Sequence, residues 1–266
     1  MSARCEREAG ADVRKADVDD GGTAMRRWIQ LTGVAVVLAG TLVVVTRSKG
    51  TAGNGARRVF WSAFAGVPSG RLGTVGARVL AKRSSYFAAM AEELALQPED
   101  DLLDVGCGAA GLLAQHASQV RFVAGLDLSE IQLRMARQNL ADRIAAGTGE
   151  IVQGDATVLP WDDGRFSVVA SLDCVKFLRD PAQALREMYR VLRPGGRVVL
   201  GLGKRVKNEA ESSTVDVWGE WQWSDADARR LMDEAGFVDV VVSFLHAGPK
   251  EQLVRGTRPG AGQGLA

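Results

Sequence analysis

Along residues 84–257 apolar positions switch between two periods. Runs of continuous or alternating apolar residues at 102–105, 121–126, 150–153, 166–172, 197–202, 238–244 and 252–255 predict strands. Stretches with helical spacing lie before or between them, at 84–96, 110–118, 130–142, 181–192 and 224–235, the last opened by Ser224 and Asp225. SVVASL and RVVLGL are too continuously apolar for a sheet with one wet face, so helices should cover both sides. The pattern predicts an α/β domain over 84–257 with a doubly wound, mostly parallel seven-stranded sheet, and a flexible tail over 258–266.

Residues 28–46 depart from this pattern. They run for 19 positions without a charge, and as a helix rising about 1.5 Å per residue they would nearly cross a hydrocarbon core of roughly 30 Å. This predicts one transmembrane helix within 26–49, preceded by a disordered tail over 1–25 and followed by a linker and possible cap over 50–83. A buried helix or a cleaved signal peptide is the alternative, but core helices rarely stay apolar all round and no small-x-small cleavage site precedes TRSKG. Arg14, Lys15, Arg26 and Arg27 on one side balance Arg47, Lys49, Arg57 and Arg58 on the other, so charge leaves the orientation open. Met25 directly before RRW leaves the true start open as well.

Composition narrows the function. With 33 basic and 32 acidic residues the net charge is +1, which gives no bulk field for nucleic acid. Cys5, Cys107 and Cys174 are far apart and match neither a zinc nor a redox spacing, so no metal and no disulfide framework is expected.

The chemistry starts at DLLDVGCGAAGLL, where Gly106, Gly108 and Gly111 spell G-x-G-x-x-G after a short strand. Any nucleotide-type ligand across the strand ends needs a tight turn and a close backbone there, so the glycines alone do not name it. Asp127, 21 residues after Gly106, can accept both ribose hydroxyls of NAD or of S-adenosylmethionine. Two other acids separate these ligands. Asp104 would face a pyrophosphate unfavourably but would help to hold an ammonium group, and Asp155 offers an acceptor to an adenine amino group.

LLDVGCGAAGLL, VAGLDLSE, IVQGDATVLPWDDGRFSVV and ALREMYRVLRPGGRVVL, in this order and spacing, resemble the successive motifs of the class I S-adenosylmethionine-dependent methyltransferases, nearest to the ubiquinone/menaquinone-type small-molecule enzymes. The resemblance covers about 84–255 and implies a Rossmann-like fold with S-adenosylmethionine as cofactor. It implies that Asp104, Gly106, Cys107, Gly108 and Gly111 line the methionine side and that Asp127 takes the ribose. By the same resemblance Leu128 packs on the adenine, Asp155 with Ala156 meets its edge, and Ser171 lies beneath the sulfonium.

The sequence departs from that family after the fourth strand of the domain. Many relatives carry a His pair where this chain has Lys176 and Phe177, so a histidine base is excluded there. Asp173 and Lys176 are the candidates for contact with the acceptor, or else a helix start and a solvated charge. Cys174 reads as a small core filler and His116 as structural, while His246 falls in a loop. Methyl transfer needs chiefly positioning, so a missing base does not argue against activity. Trp161, the aromatic stretch before Gly66 and the insert with Trp218, Trp221 and Trp223 are expected to enclose a small apolar or lipid-like acceptor; the insert reads equally as an anchor to the core or to a membrane interface.

The expectation is therefore a single-pass membrane methyltransferase with its catalytic domain in the cytoplasm, where S-adenosylmethionine is made. A non-catalytic S-adenosylmethionine-binding protein and an NAD-dependent oxidoreductase are the alternatives. Oligomeric state and the identity of the acceptor are open at this point.

Overall fold

The computed structural model describes residues 33–38, 41–46, 84–204, 214–215, 221–244, 251–260 and 262. The chain divides into two units, residues 1–53 and 54–266.

In the first unit, β1 (Gly33–Leu38) and β2 (Thr41–Thr46) form an antiparallel pair, with Gly33 opposite Thr46 and Leu38 opposite Thr41. This differs from the continuous helix expected over 28–46. The physical reason lies in GVAVVL and TLVVVT: Val and Thr dominate, and branching at Cβ favours the extended chain over the helix. Among the described residues no helix is long and apolar enough to cross a membrane. The expected tail over 1–25, the linker over 50–83 and the aromatic stretch before Gly66 lie outside the described residues.

In the second unit the elements follow the βα alternation. They are α1 (Ser84–Leu94), β3 (Asp101–Val105), α2 (Gly111–His116), β4 (Phe122–Asp127), α3 (Glu130–Asn139), α4 (Ala141–Ala145), β5 (Gly149–Gln153) and β6 (Phe166–Leu172). Then come α5 (Pro181–Val191), β7 (Leu192–Lys204), the short pair β8 (Thr214–Val215) and β9 (Trp221–Gln222), α6 (Asp225–Glu234), β10 (Val238–Phe244) and β11 (Glu251–Thr257).

Seven of these strands form one mixed sheet in the order β10-β11-β7-β6-β3-β4-β5. The pairs from β7 across to β5 are parallel, and β11 is antiparallel to both of its neighbours. The chain enters at β3, moves outward through β4 to β5, then returns to place β6 on the other side of β3. Neighbouring connections thus leave in opposite directions at β3, and the crevice at its carboxyl end is where ligands bind in such sheets.

Burial explains why the strand pattern was so continuous. Successive residues of β3 serve opposite faces: Leu102 packs with Met90, Leu112 and Leu133 of α1–α3, while Leu103 and Val105 pack with Leu185, Met188 and Met232 of α5 and α6. Val168 and Val169 of β6 divide in the same way. Both faces are dry, as a doubly wound sheet requires.

Three elements depart from the sequence reading. The helix expected over 130–142 breaks at buried Leu140, whose dihedrals are not helical, and resumes as α4. β7 is longer than expected, absorbing a turn at Gly195, whose φ is +78. The expected flexible tail begins with an anchored residue, because Arg258 donates from its guanidinium to the carbonyls of Tyr189 and Arg190 at 3.1 and 2.9 Å.

Candidate active site

The glycine turn leaves β3 at its carboxyl end. Gly106 (φ +78) and Gly108 (φ +54) adopt the left-handed region, and Ala110 (φ 59) joins them just before α2. The amides of Gly106 and Cys107 both donate to the Leu126 carbonyl, at 2.7 and 3.0 Å, which holds the turn against the end of β4. No side chain fits on Gly106, because an added Cβ would overlap Cys174 Cβ and stand 2.5 Å from its Sγ. At Gly111 an added Cβ would overlap the ring of Phe87, which closes the same turn from the α1 side. Gly108 has more room, with the Gln132 amide 3.6 Å away.

Asp127 ends β4 beside this turn. One oxygen accepts from the Gly108 amide at 2.9 Å and the other from the Ser129 amide at 2.8 Å. A carboxylate offers about four lone-pair positions, so two acceptor positions remain for hydroxyl donors. Burial raises the Asp127 pKa against the lowering effect of these amides. Leu128, the next residue, is 45% exposed, an apolar surface at the strand ends. Asp155 lies after β5 and is exposed; its Oδ1 accepts from the Thr157 amide and hydroxyl at 2.9 and 2.8 Å. Ala156 beside it is buried.

Asp104 lies in β3, opposite Gly125 of β4 and Ala170 of β6. It is buried, and its Oδ1 has no hydrogen-bond partner among the described residues. Desolvation, with the Asp127 charge second, pushes its pKa up to about 7. An unpartnered buried carboxylate is costly, and a cation brought to it removes that cost. The site therefore fits a ligand with an ammonium group, and two neighbouring carboxylates oppose a pyrophosphate.

The other sequence candidates divide. Ser171 is completely buried and its hydroxyl donates to the Val105 carbonyl at 2.8 Å, so it ties β6 to β3 and offers no surface to a ligand. Cys107 packs inward, where a Cβ on Gly125 would stand 2.8 Å from its Sγ, and burial raises its thiol pKa. Cys174 is likewise pushed up to about 12, chiefly by burial, so it is a neutral filler against Gly106. His116 is buried and neither ring nitrogen meets a partner among the described residues. Asp173 and Lys176 do come to the crevice, paired through Nζ and Oδ1 at 3.0 Å.

Trp161 lies away from the expected enclosure, while Trp221 and Trp223 take the other reading of the insert, an anchor to the core. Trp161 packs edge-on against Phe166, the first residue of β6, and donates to Glu150 near the start of β5 at 2.7 Å. That is the amino end of the strands, across the sheet from the glycine turn. Trp223 is buried in the core and stacks on Trp221, whose indole N–H donates to the Leu178 carbonyl at 2.8 Å. Both side chains anchor the insert, and Trp218 and His246 lie outside the described residues. Phe87 and Gln132 escaped the sequence reading, since both meet the glycine turn only through tertiary packing.

Comparisons with known proteins agree with this geometry. A family model described as a methyltransferase domain matches residues 103–200. A demethylmenaquinone methyltransferase of Staphylococcus epidermidis is 31% identical over 191 residues, spanning 59% of this chain and 78% of that protein. A ubiquinone/menaquinone biosynthesis C-methyltransferase of Idiomarina loihiensis is 37% identical over 102 residues, spanning 37% of this chain and 41% of that protein. The chain spans about half the length of most curated relatives it matches. In fold it resembles Haemonchus contortus phosphoethanolamine N-methyltransferase 2, solved with S-adenosyl-L-methionine, at a TM-score of 0.60 and 14% identity, covering 93% of this chain and 76% of that one. The glycine turn, its flanking acids and these matches together establish that the chain belongs to the class I S-adenosylmethionine-dependent methyltransferase family, related to the ubiquinone/menaquinone methyltransferases.

Proposed function

We propose that this chain transfers a methyl group from S-adenosylmethionine to a small acceptor of apolar or lipid-like character. The observation that carries the reading is the buried, unpartnered Oδ1 of Asp104 beside Asp127 at the glycine turn. When bound, S-adenosylmethionine supplies a methyl group on a sulfonium, whose displacement by the acceptor leaves a neutral thioether. The chain's part is to bind and orient. Asp104 takes the ammonium end, Asp127 the ribose hydroxyls, Leu128 the adenine face, and Asp155 with Ala156 the adenine edge. Relatives whose names specify menaquinone and phytyl-naphthoquinone methylation support an apolar acceptor.

Asp127 gives the direct test of cofactor binding. Its ribose contacts would be charge-assisted hydrogen bonds worth roughly 1.5 to 3 kcal/mol each, so Asp127→Ala should weaken S-adenosylhomocysteine tenfold or more by calorimetry while the chain stays folded. An unchanged affinity rejects the assignment. A gain in melting temperature with NADH and none with S-adenosylhomocysteine would return the site to a dinucleotide.

The reading extends to the bilayer, with residues 28–46 attaching the chain to a membrane and the catalytic domain on the cytoplasmic side. Its support is the uncharged run of 19 positions; the β1–β2 pairing stands against a continuous spanning helix. The full chain should remain with the membrane fraction after a carbonate wash. Complete release into the supernatant would refute attachment.

A further inference from the structure

Residues 154–165 leave β5 at the carboxyl end of the sheet and return to start β6 at its amino end, forming no helix or strand of their own. Asp155 and Ala156, assigned above to the adenine edge, open this segment. Its course is held from α5. Arg190 uses all five of its N–H donors, two on Glu187 and three on the segment. Nε and Nη2 each reach a Glu187 carboxylate oxygen at 2.8 Å; Nη2 also reaches the Leu159 carbonyl at 2.9 Å. Nη1 meets the Trp161 carbonyl and Asp163 Oδ1, both at 2.8 Å. Glu187 in turn accepts from the Leu159 amide at 2.8 Å. One turn earlier on the same helix face, Gln183 donates to the Thr157 carbonyl at 3.3 Å.

Attachment alone does not require this arrangement. Leu159 is buried in the same core cluster as Leu185 and Met188 of α5, so apolar contact already keeps the segment on the helix. The Arg190 and Glu187 side chains are only 30% and 14% exposed, and an ion pair drawn from water returns little net stability. What a planar, bidentate fork adds is direction. The residues it directs lie next to a ligand-facing acid: Thr157 and Leu159 are two and four positions after Asp155. Thr157 ties down Asp155 Oδ1 through its amide and hydroxyl, which leaves Oδ2 for a ligand. Because Asp155 is exposed, its own burial does not fix where that oxygen stands.

We propose that Glu187 and Arg190, helped by Gln183, are positioning residues for adenine: they hold residues 157–163 so that Asp155 Oδ2 meets the ring's amino group, and selectivity for that group is set from α5. The proposal rests on the S-adenosylmethionine reading and names what makes its adenine edge selective. A carboxylate accepts from an amino group and repels an oxo group at the same ring position. That hydrogen bond lapses once the two atoms are more than about 3.5 Å apart, so a small drift of the segment removes the discrimination. The ammonium and ribose contacts of Asp104 and Asp127 stand on β3 and β4 and do not move with it. Lys at position 190 carries the charge but has no fork, so it does not replace Arg here.

The test uses the full chain and calorimetry with S-adenosylhomocysteine and S-inosylhomocysteine, in which an oxo group replaces the amino group. The wild-type chain should prefer the first by about tenfold or more, the worth of one charge-assisted hydrogen bond. Arg190→Lys should cut that preference to about threefold or less, chiefly by weakening the amino ligand. Glu187→Gln keeps the shape of the fork's partner without its charge and carries the same comparison should the Lys variant not fold. Asp155→Ala should abolish the preference, and adding Arg190→Lys to it should change the two affinities no further, because the fork acts through Asp155. A brace that serves only the fold would lower the melting temperature and weaken both ligands by one factor, leaving the preference intact; that result overturns the proposal. No preference in the wild-type chain overturns it too. Failure of the wild-type chain to bind S-adenosylhomocysteine at all removes the cofactor reading together with the proposal, whereas binding with an unaltered preference in the variants removes the proposal alone.

Discussion

Asp104→Asn should make the free chain more stable above pH 7 and a poorer binder of S-adenosylmethionine, two effects of opposite sign from one atom. In the unfolded chain the carboxyl ionises near 3.8, whereas burial, with help from the Asp127 charge, raises its folded pKa to about 7. Between these values the folded chain holds a proton that the unfolded chain has released, so stability falls as pH rises through this window. Above pH 7 the full penalty is present, an upper bound of about 4 kcal/mol for so large a rise. The groups facing Asp104 add no relief, since Asp127 is acidic and the Cys107 and Cys174 thiols are neutral. Asn has the same shape and no charge to bury, so its melting temperature should match the wild type near pH 4 and exceed it by several degrees at pH 8. Ligand binding runs the other way. An ammonium at Asp104 selects the ionised form, so wild-type affinity should weaken below pH 7 by up to tenfold per pH unit, and the Asn variant should lose that dependence along with tenfold or more of the affinity at pH 8. Melting scans and calorimetry at pH 5 and 8 decide it. Equal stability differences at both values would show that Asp104 is not buried as an anion.

This coupling of acid and glycine turn was legible because it is local. Asp104, Gly106 and Asp127 stand at spacings set by one strand-turn-helix-strand unit, and the unit's strands announce themselves by being apolar on both faces. What failed to show in the sequence depends on direction rather than spacing. Residues 28–46 satisfy the length rule for a span, but the same Val and Thr residues satisfy the preference for strands, and length cannot choose between them. Three tryptophans in six residues signal apolar contact without saying with what; Trp223 turned inward and Trp221 spends its N–H on Leu178. The resemblance puts Ser171 beneath the sulfonium, and what its motif position does not tell is that its hydroxyl donates to the Val105 carbonyl, tying β6 to β3. Contacts between distant segments, such as Phe87 on Gly111 and Cys174 on Gly106, leave no local pattern at all.

The Gly106–Cys174 contact gives the second large effect. Gly106→Ala meets two obstacles that can be separated. The first is backbone: φ of +78 places an L side chain in the left-handed region, at a cost of roughly 1 to 2 kcal/mol. The second is space, because the new methyl would overlap Cys174 Cβ, and overpacking a filled site costs roughly 1 to 3 kcal/mol. Any relief must move the turn or the loop after β6, so binding of S-adenosylhomocysteine should fall at least tenfold together with the melting temperature. Only Cys174→Gly, which removes both Cβ and Sγ, clears the space. In the double variant the spatial cost should vanish while the backbone cost stays, leaving a coupling of about 1 kcal/mol or more in the double-mutant cycle. Cys174→Ala should give no such recovery, since its Cβ remains. If Gly106→Ala is equally destabilising with and without the Cys174 side chain, the turn needs glycine for its dihedral alone, and the loop that bears Asp173 and Lys176 is not packed on it as the structure has it.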